Sequence, residues 1–503
     1  MDLLLLGLGE ALSPHNLLFC FIGVFVGTAI GVLPGIGPLA AVSLILPMTF
    51  YLGPTTGLVM LAGVYYGAEY GGSTASILLN LPGTPSNAVT CIDGYPMSQQ
   101  GRAGVALLLT TVSSFVGGTI GILILMGLTP LIVAFSMAFG PAEYFGLILF
   151  ALIASATVAR GSAAKGLAMV FLGMLFGSMG ADLNTSVDRF TFGMPELIDG
   201  IGLVTVAMGL FGVAEIIASV RLSHQRVRQQ ISMRSMMPTR DDVRRSILPA
   251  LRGSGIGSLV GALPGAGPTV AAFMSYSAEK RVSRTPERFG NGAVEGITAP
   301  EAANNAAAQT AFIPTLSLGV PGSATMAIMI GALMVHGIAP GPQFVTNHPD
   351  IFWGLVASFW IGNLLLLVLN IPLIGIWVSI LNTPYKLLYP IIVALIAIGV
   401  FAVHGSAFDV VLVVLFGLLG YAMRLFGFEP APFLIGFILG PMLEENFRRA
   451  LLLGRGSVGY LAGSPISATL IVLSVLLLAW TVYTTVRPRK RQASAGETPA
   501  AGS

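Results

Sequence analysis

The chain has 503 residues, 54% of them hydrophobic and only 9% charged, with a formal net charge of +3. Soluble domains carry roughly 25% charged residues, so this composition excludes a water-soluble enzyme or binding module and describes a protein that lives in a bilayer. The positive charge gathers in a few loops, not on a basic face interleaved with aromatics, which excludes nucleic-acid binding.

Residues 1–12 carry Asp2 and Glu10, no basic start and no small-residue cleavage pattern, so no cleavable signal peptide is expected. Apolar stretches near the roughly 20 residues needed to cross about 30 Å of hydrocarbon predict spans at 16–33, 103–126, 144–158, 203–220, 352–374, 389–403 and 466–486. The 63 glycines and 31 prolines fall largely within apolar segments. Backbone groups freed there must face protein or a polar cavity, so the interior is expected to be lined by water or a ligand. Cys20 and Cys91 lie among apolar or small residues, and neither a disulfide nor a metal site is expected of them.

The chain also repeats itself. Gly23, Gly27, Gly31, Leu33, Pro34, Gly35, Gly37 and Pro38 recur 230 positions later as Gly253, Gly257, Gly261, Leu263, Pro264, Gly265, Gly267 and Pro268. A Leu-Pro-Gly-x-Gly-Pro break within an apolar helix, once per half, is the mark of a secondary transporter built from internal repeats with discontinuous helices. Each break predicts either a re-entrant hairpin or a single broken spanning helix, and 251–279 is long enough for both. The repeat is read as continuing from Glu69 to Pro82-Gly83 against Glu301 to Pro321-Gly322, and at 161–163 against 405–407.

The stretch 221–246, with Arg226, Arg228, Arg234, Arg240, Arg244 and Arg245, is expected to be a cytoplasmic linker between repeats at 1–220 and 247–450. The N-terminal half begins without Lys or Arg and is expected to start outside, so the repeats are expected to be inverted. A terminal helix region, 451–486, leads to Arg487, Arg489, Lys490 and Arg491 and a disordered cytoplasmic tail, 487–503. Arg448, Arg449 and Arg455 oppose this orientation unless they share an amphipathic segment with Glu444 and Glu445. The fold class expected is an all-α polytopic membrane protein with Pro-Gly-broken helices or re-entrant hairpins.

Beyond the paired LPGxGP breaks, four long strings carry a family resemblance: YYGAEYGGSTASILLNLPGTPSNAVTCIDGYPM from Tyr65, RFTFGMPELIDG from Arg189, APEAANNAAAQTAFIPTLSLGVPGSA from Ala299, and GYAMRLFGFEPAPFLIGFILGPMLEENFRRA from Gly420. On these the chain resembles the large membrane subunit, the TctA type, of the tripartite tricarboxylate transporters, over nearly its whole length. The resemblance implies ion-gradient-driven uptake of a citrate-like tricarboxylate or related small carboxylate across the bacterial inner membrane. It implies two partners, a small membrane subunit and a periplasmic solute-binding protein. Glu69 departs from the uncharged residue that the resemblance leads one to expect.

A carboxylate substrate needs its charge met, yet the predicted spans hold almost no Lys or Arg. The expected substrate site is therefore backbone and hydroxyl: Pro34, Gly35, Gly37, Pro82, Gly83, Pro264, Gly265, Gly267, Pro321 and Gly322 at starts of half-helices, where free N–H groups carry about half a positive charge. Ser73, Thr74, Asn80, Thr84, Ser86, Asn304, Asn305, Ser323 and Thr325 are expected to orient the substrate by neutral hydrogen bonds. No cofactor is expected. Coupling is expected at Glu69, Glu301, Asn304 and Asn305, either as an oxygen cage for sodium or through protonation of a carboxylate.

Plainer readings stand beside these. The Gly-x-x-x-Gly runs read as close helix packing, Glu301 with Asn304 as a structural pair one turn apart, and Glu215 as a bundle-facing hydrogen bond. Arg160, Lys165 and Arg189 read as interfacial, and His336 and His404 as helix-end residues. A stand-alone symporter or channel is the alternative transport reading. A membrane enzyme is disfavoured by the lack of His-Glu-x-x-His or Gly-x-Ser-x-Gly, and an ATP-driven pump by the lack of a phosphate loop.

Overall fold

The computed structural model describes residues 2–136, 138–158, 162–182, 185–219, 231–383 and 385–486. Arg160, the linker residues Arg226 and Arg228 and the tail 487–503 lie outside the described residues. The chain is an all-α polytopic membrane protein; among the described residues the only strands are the short pair Gly180–Ala181 and Asp188–Arg189. Predicted spans reappear as helices Pro14–Val32, Ala103–Ser136, Pro141–Val158, Pro349–Asn370, Tyr385–His404 and Pro465–Val486. The 203–220 stretch carries a π-helical insert, Met208–Val213, between Leu203–Ala207 and Ala214–Ser219. The helices Pro54–Leu79, Ala163–Gly177, Ala407–Leu425 and Pro430–Leu453 were not among the predicted spans.

Each LPGxGP break is the tip of a hairpin. In the first half Pro14–Val32 runs in and Gly37–Thr49 runs back: Thr49 stands against Gly57, and Thr56 donates to Asn16 at 2.6 Å, so the two hairpin ends share one side. In the second half Arg240–Gly261 and Gly267–Val282 form the same shape, closed at the open end by Arg252, which donates to both Glu279 oxygens at 2.6 and 2.9 Å. A single broken helix crossing the bilayer would separate those ends by its full length, so the hairpin alternative holds. Helix Arg240–Gly261 begins within the stretch read as linker, because Thr239 and Asp242 make a reciprocal capping box there.

The glycine runs pack each hairpin against the next helix. Gly23, Gly27 and Gly31 face the backbone of Met60, Val64 and Ala68 on Pro54–Leu79, a constant step of 37; Gly253, Gly257 and Gly261 face Ala299, Ala303 and Ala307 on Glu295–Thr310, a constant step of 46. A Cβ at any of these six glycines would fall on a facing carbonyl oxygen. Absent side chains let parallel helices approach to backbone contact, the packing reading of these runs. Constant steps also fix direction: within each half the facing helices are parallel. Between halves, Tyr65 meets the Phe312 ring while Ser73, two turns on, reaches back to Glu301, so Pro54–Leu79 runs antiparallel to Glu295–Thr310.

This packing corrects one expected correspondence. Met60, Val64 and Ala68 match Ala299, Ala303 and Ala307 at a step of 239. The same step matches Pro82-Gly83 to Pro321-Gly322, and Asn80 to Gly319, both left-handed helix caps with φ of 56° and 70°. Glu69 and Glu301 are 232 apart, about two helical turns out of register. Glu69 is matched by Ala308 and Glu301 by Ala62; the two carboxylates are not copies of one site.

At the end where the helix Ala163–Gly177 leaves for 178–202, Arg448 pairs with Asp182 and Glu444, Arg449 with Glu445, and Arg189 with Asp182 and Glu444.

Candidate functional site

The breaks converge in the protein's interior. At the hairpin tips Gly35 and Gly265 have φ of 90° and 82°, and Gly37 and Gly267 have φ of 65° and 62°, the left-handed region that only glycine enters freely. This bend restarts a helix at Gly37 and at Gly267, each with Pro38 or Pro268 in the first turn and neither with a side-chain cap. Their leading N–H groups are thus left for another partner. Gly37 faces Pro85 and Gly267 faces Ser323, each the second break of its own half. The Gly265 amide donates to the Gly322 carbonyl at 3.1 Å, tying Pro264 and Pro321 to one junction. Across the halves, Gly267–Val282 packs on Ser86–Ala88 and Gly37–Thr49 packs on Ala324–Val335.

Not every expected residue reaches this junction equally. Gly83 is buried against Gly72 and the Gly31 carbonyl, while Pro82, Gly35 and Asn80 are exposed on its edge. Ser323 caps Ala324–Val335, accepting from the Met326 amide at 3.3 Å. The Glu215 carboxylate stands against Gly35 and pairs with Arg424, more than the neutral hydrogen bond expected of it. Lys165 donates to the Phe426 carbonyl at 2.6 Å and lies over the Phe428 ring.

Beside the junction lies a buried chain of polar groups. Glu301, with no exposed surface, accepts from Ser73 at 2.8 Å, Asn87 Nδ2 at 2.9 Å, Ser114 at 3.3 Å and, at short range, Thr90. Glu69, 3% exposed, meets the Ser86 hydroxyl at 2.6 Å. Ser86 is 2.6 Å from Thr84, and Thr84 is 2.5 Å from Asn87 Oδ1. A hydrogen-bonded line thus runs from Glu69 through Ser86, Thr84 and Asn87 to Glu301. Thr74, buried one position after Ser73, is not part of it.

Ser86 was expected to orient the substrate and instead joins the two carboxylates; Asn87, Thr90 and Ser114 were not anticipated. A signal existed for two of them: Asn87 and Thr90 follow the expected Thr84 at every third residue after the break, which places them along one side once the chain coils again at Ser86–Ala88 and Thr90–Gln99. Asn304 is not paired with Glu301. Its oxygen accepts from Asn305 Nδ2 at 2.7 Å, Asn305 also donates to the Glu301 carbonyl at 3.0 Å, and the Asn304 Nδ2 has no partner. The group left over there is a donor, suited to an anion or water and not to a cation. Among the described residues no Lys or Arg is buried, and no three or more His, Cys, Asp or Glu side chains gather as a metal ion would need.

Comparison with known proteins places this architecture. The model of the tripartite tricarboxylate transporter TctA family matches residues 17–435. An Agrobacterium vitis protein described as an uncharacterized 52.8 kDa protein in the TAR-I ttuC' 3' region is 46% identical over 493 residues, 97% of this chain and 98% of that one. A second A. vitis protein, described as uncharacterized and in the TAR-II ttuC' 3' region, is 48% identical over 236 residues, 47% of this chain and 98% of its own length. No solved structure matches. With a family match spanning both hairpins and the polar chain between them, this protein belongs to the tripartite tricarboxylate transporter TctA family.

Proposed function

We propose that the chain is the large membrane subunit of a tripartite system that imports citrate-like tricarboxylates or related small carboxylates into the cell, driven by a sodium or proton gradient. A small membrane subunit and a periplasmic binding protein complete it. One observation carries the reading: two uncapped helix starts, at Gly37 and Gly267, meet the second Pro-Gly breaks in an interior where no described Lys or Arg is buried. A multivalent anion entering such a space has its charge met by backbone amides and helix dipoles, as at other broken-helix sites. Ser323, Thr84 and the free amide of Asn304 supply orientation, and Glu69, Glu301 and Asn305 lie on the coupling side. The antiparallel run of Pro54–Leu79 and Glu295–Thr310 supports inverted repeats, which alternate access to the junction by moving one packed unit against the other. The basic residues of 221–246 and 487–491 support a cytoplasmic linker and C-terminus.

The test is uptake of labelled citrate, with unlabelled di- and tricarboxylates as competitors, into vesicles holding the chain, its small subunit and the binding protein under an imposed sodium or proton gradient. Saturable, gradient-dependent uptake is expected, and Gly35→Val and Gly265→Val are each expected to reduce it at least about tenfold at normal expression, because a branched side chain at these φ values distorts the tip. Full uptake in both variants overturns the junction as the site, and linear, gradient-independent flux overturns the transporter reading in favour of a channel.

A further inference from the structure

The polar chain between the two carboxylates is short of protons. It has three short links, Glu69 to Ser86 at 2.6 Å, Ser86 to Thr84 at 2.6 Å, and Thr84 to Asn87 Oδ1 at 2.5 Å; the further Thr84 to Glu69 contact, at 3.5 Å, is too long to claim a proton of its own. Each short separation is an O–H···O hydrogen bond and requires a proton between the oxygens. Asn87 Oδ1 has none to give, since its amide hydrogens serve Glu301 and Ser73. Ser86 and Thr84 supply one each. Three links and two hydroxyl protons leave one proton missing, and the remaining atom able to carry it is the Glu69 carboxyl oxygen. The donors then run in one direction, Glu69 to Ser86, Ser86 to Thr84, Thr84 to Asn87.

Turning the Asn87 amide over does not remove the shortage. Its nitrogen would then donate to Thr84 and free the chain toward Glu69, but its oxygen would face Glu301 Oε1 at 2.9 Å with no hydrogen between, and Glu301 would need the proton. Two ionised carboxylates fit neither orientation. The orientation in the structure gives Glu301 its four donors as a carboxylate and leaves the proton to Glu69. A second feature points to exchange at Glu69. The Tyr65 hydroxyl, 1% exposed, makes no hydrogen bond of good geometry; the Ser323 side chain at the second half's break lies within its reach, and Glu69 follows one turn later on the same helix face. The titratable groups facing Glu69 are Tyr65 on its own helix and Glu301 across the halves; no described basic group is buried with them.

We propose that Glu69 is a proton-binding site, loaded in this conformation, with Ser86, Thr84 and Asn87 as the acceptor line that holds the proton and Tyr65 as its contact with the substrate junction. As the coupling site of transport it rests on the reading above; as a proton site it stands alone. The step is a proton bound or released at one Glu69 oxygen. On release the carboxylate accepts a hydrogen bond from the Ser86 hydroxyl, and the single Thr84 hydrogen is left to bridge either Ser86 or Asn87, so one of the two remaining short contacts opens.

The measurement is infrared spectroscopy of the full chain reconstituted in lipid vesicles, with no gradient and no carboxylate, so that it reads the proton whether or not uptake has been established. The wild type is expected to show the carbonyl stretch of a buried protonated carboxylic acid. Glu69→Gln, whose amide donates permanently to Ser86, is expected to fold normally and to lose that band. Ser86→Ala is expected to keep the band and shift it to higher frequency, and Glu301→Gln is expected to keep it. No such band in the wild type, or a band that survives Glu69→Gln and vanishes in Glu301→Gln, overturns the assignment.

Discussion

Gly257→Ala is expected to cost about 3 kcal/mol or more of stability and to remove most of the folded protein from membranes, although alanine is ordinarily the better helix former. The added methyl would fall on the Ala303 carbonyl oxygen of the parallel helix Glu295–Thr310. That neighbour is backbone and cannot rotate away. Moving the helix as a body would break the matching contacts at Gly253 and Gly261, which share the same step. In lipid there is no hydrophobic force to hold the helices together once they are spread; association depends on this close packing and the weak contacts it allows. Gly255 on the same helix has nothing within 4 Å of an added Cβ, so Gly255→Ala is expected to be neutral or slightly stabilising. Gly27→Ala, against Val64, should reproduce the Gly257 result in the other half. Detergent-solubilised yield and thermal midpoint by size-exclusion chromatography compare them. Equal behaviour of Gly255→Ala and Gly257→Ala would mean that the glycine stripe is not a packing surface.

The sequence showed these stripes plainly, because close packing leaves a residue type and a spacing behind. It showed two helices without a charged residue as well, Pro465–Val486 and Ala103–Ser136, though not the comparably apolar Ala407–Leu425. Pro54–Leu79 escaped for a reason of composition. It is buried on nearly every side, so its neighbours are protein, and it carries Gly, Ser, Thr, Tyr and Glu that dilute hydropathy below the level of a span. The site divides the same way. The breaks and the two intramembrane carboxylates were legible as chemistry out of place in lipid. Their partnership was not, since it depends on Ser86–Ala88 coiling immediately after Pro85 and turning Asn87 and Thr90 toward Glu301. The pairing of Glu69 with Glu301 as repeat equivalents failed because both begin polar strings of similar composition. Only the three-dimensional register, a step of 239 set by glycine contacts, shows that they sit about two turns apart.

The same register leaves Asp93 without a counterpart, since the matched position is Ala332, and this asymmetry sets the second large effect. Asp93, fully buried, accepts through one oxygen from the amides of Gly290, Gly292 and Ala293 at 2.8, 2.9 and 2.8 Å, and through the other from the Tyr276 hydroxyl at 3.0 Å. It lies on Thr90–Gln99 in the first half; its partners belong to the second hairpin and the loop that leaves it. Asp93→Ala orphans three amides, each costing roughly 1–3 kcal/mol if it stays buried. The loop is therefore expected to open to water, with an opening cost lowered by about 3 kcal/mol in all, and amide hydrogen exchange across residues 286–294 is expected to speed up roughly a hundredfold. Asp93→Asn keeps one acceptor oxygen for the amides and is expected to retain most of the protection. The effect should reach transport as well as the loop. Through Asp93 the Gly267–Val282 arm and the Thr90–Gln99 helix are one mechanical unit at the end bearing residues 231–246, whereas among the described residues no buried carboxylate clasps the first hairpin in the same way. An Asp93→Ala protein that binds carboxylate but moves it slowly, with exchange raised along Gly267–Val282, would show that the arm has come loose from the helix that carries Thr90, and with it from Glu301 and the polar chain. Unchanged exchange in residues 286–294 would remove the clasp, and with it any reason to treat the two hairpins as mechanically unequal.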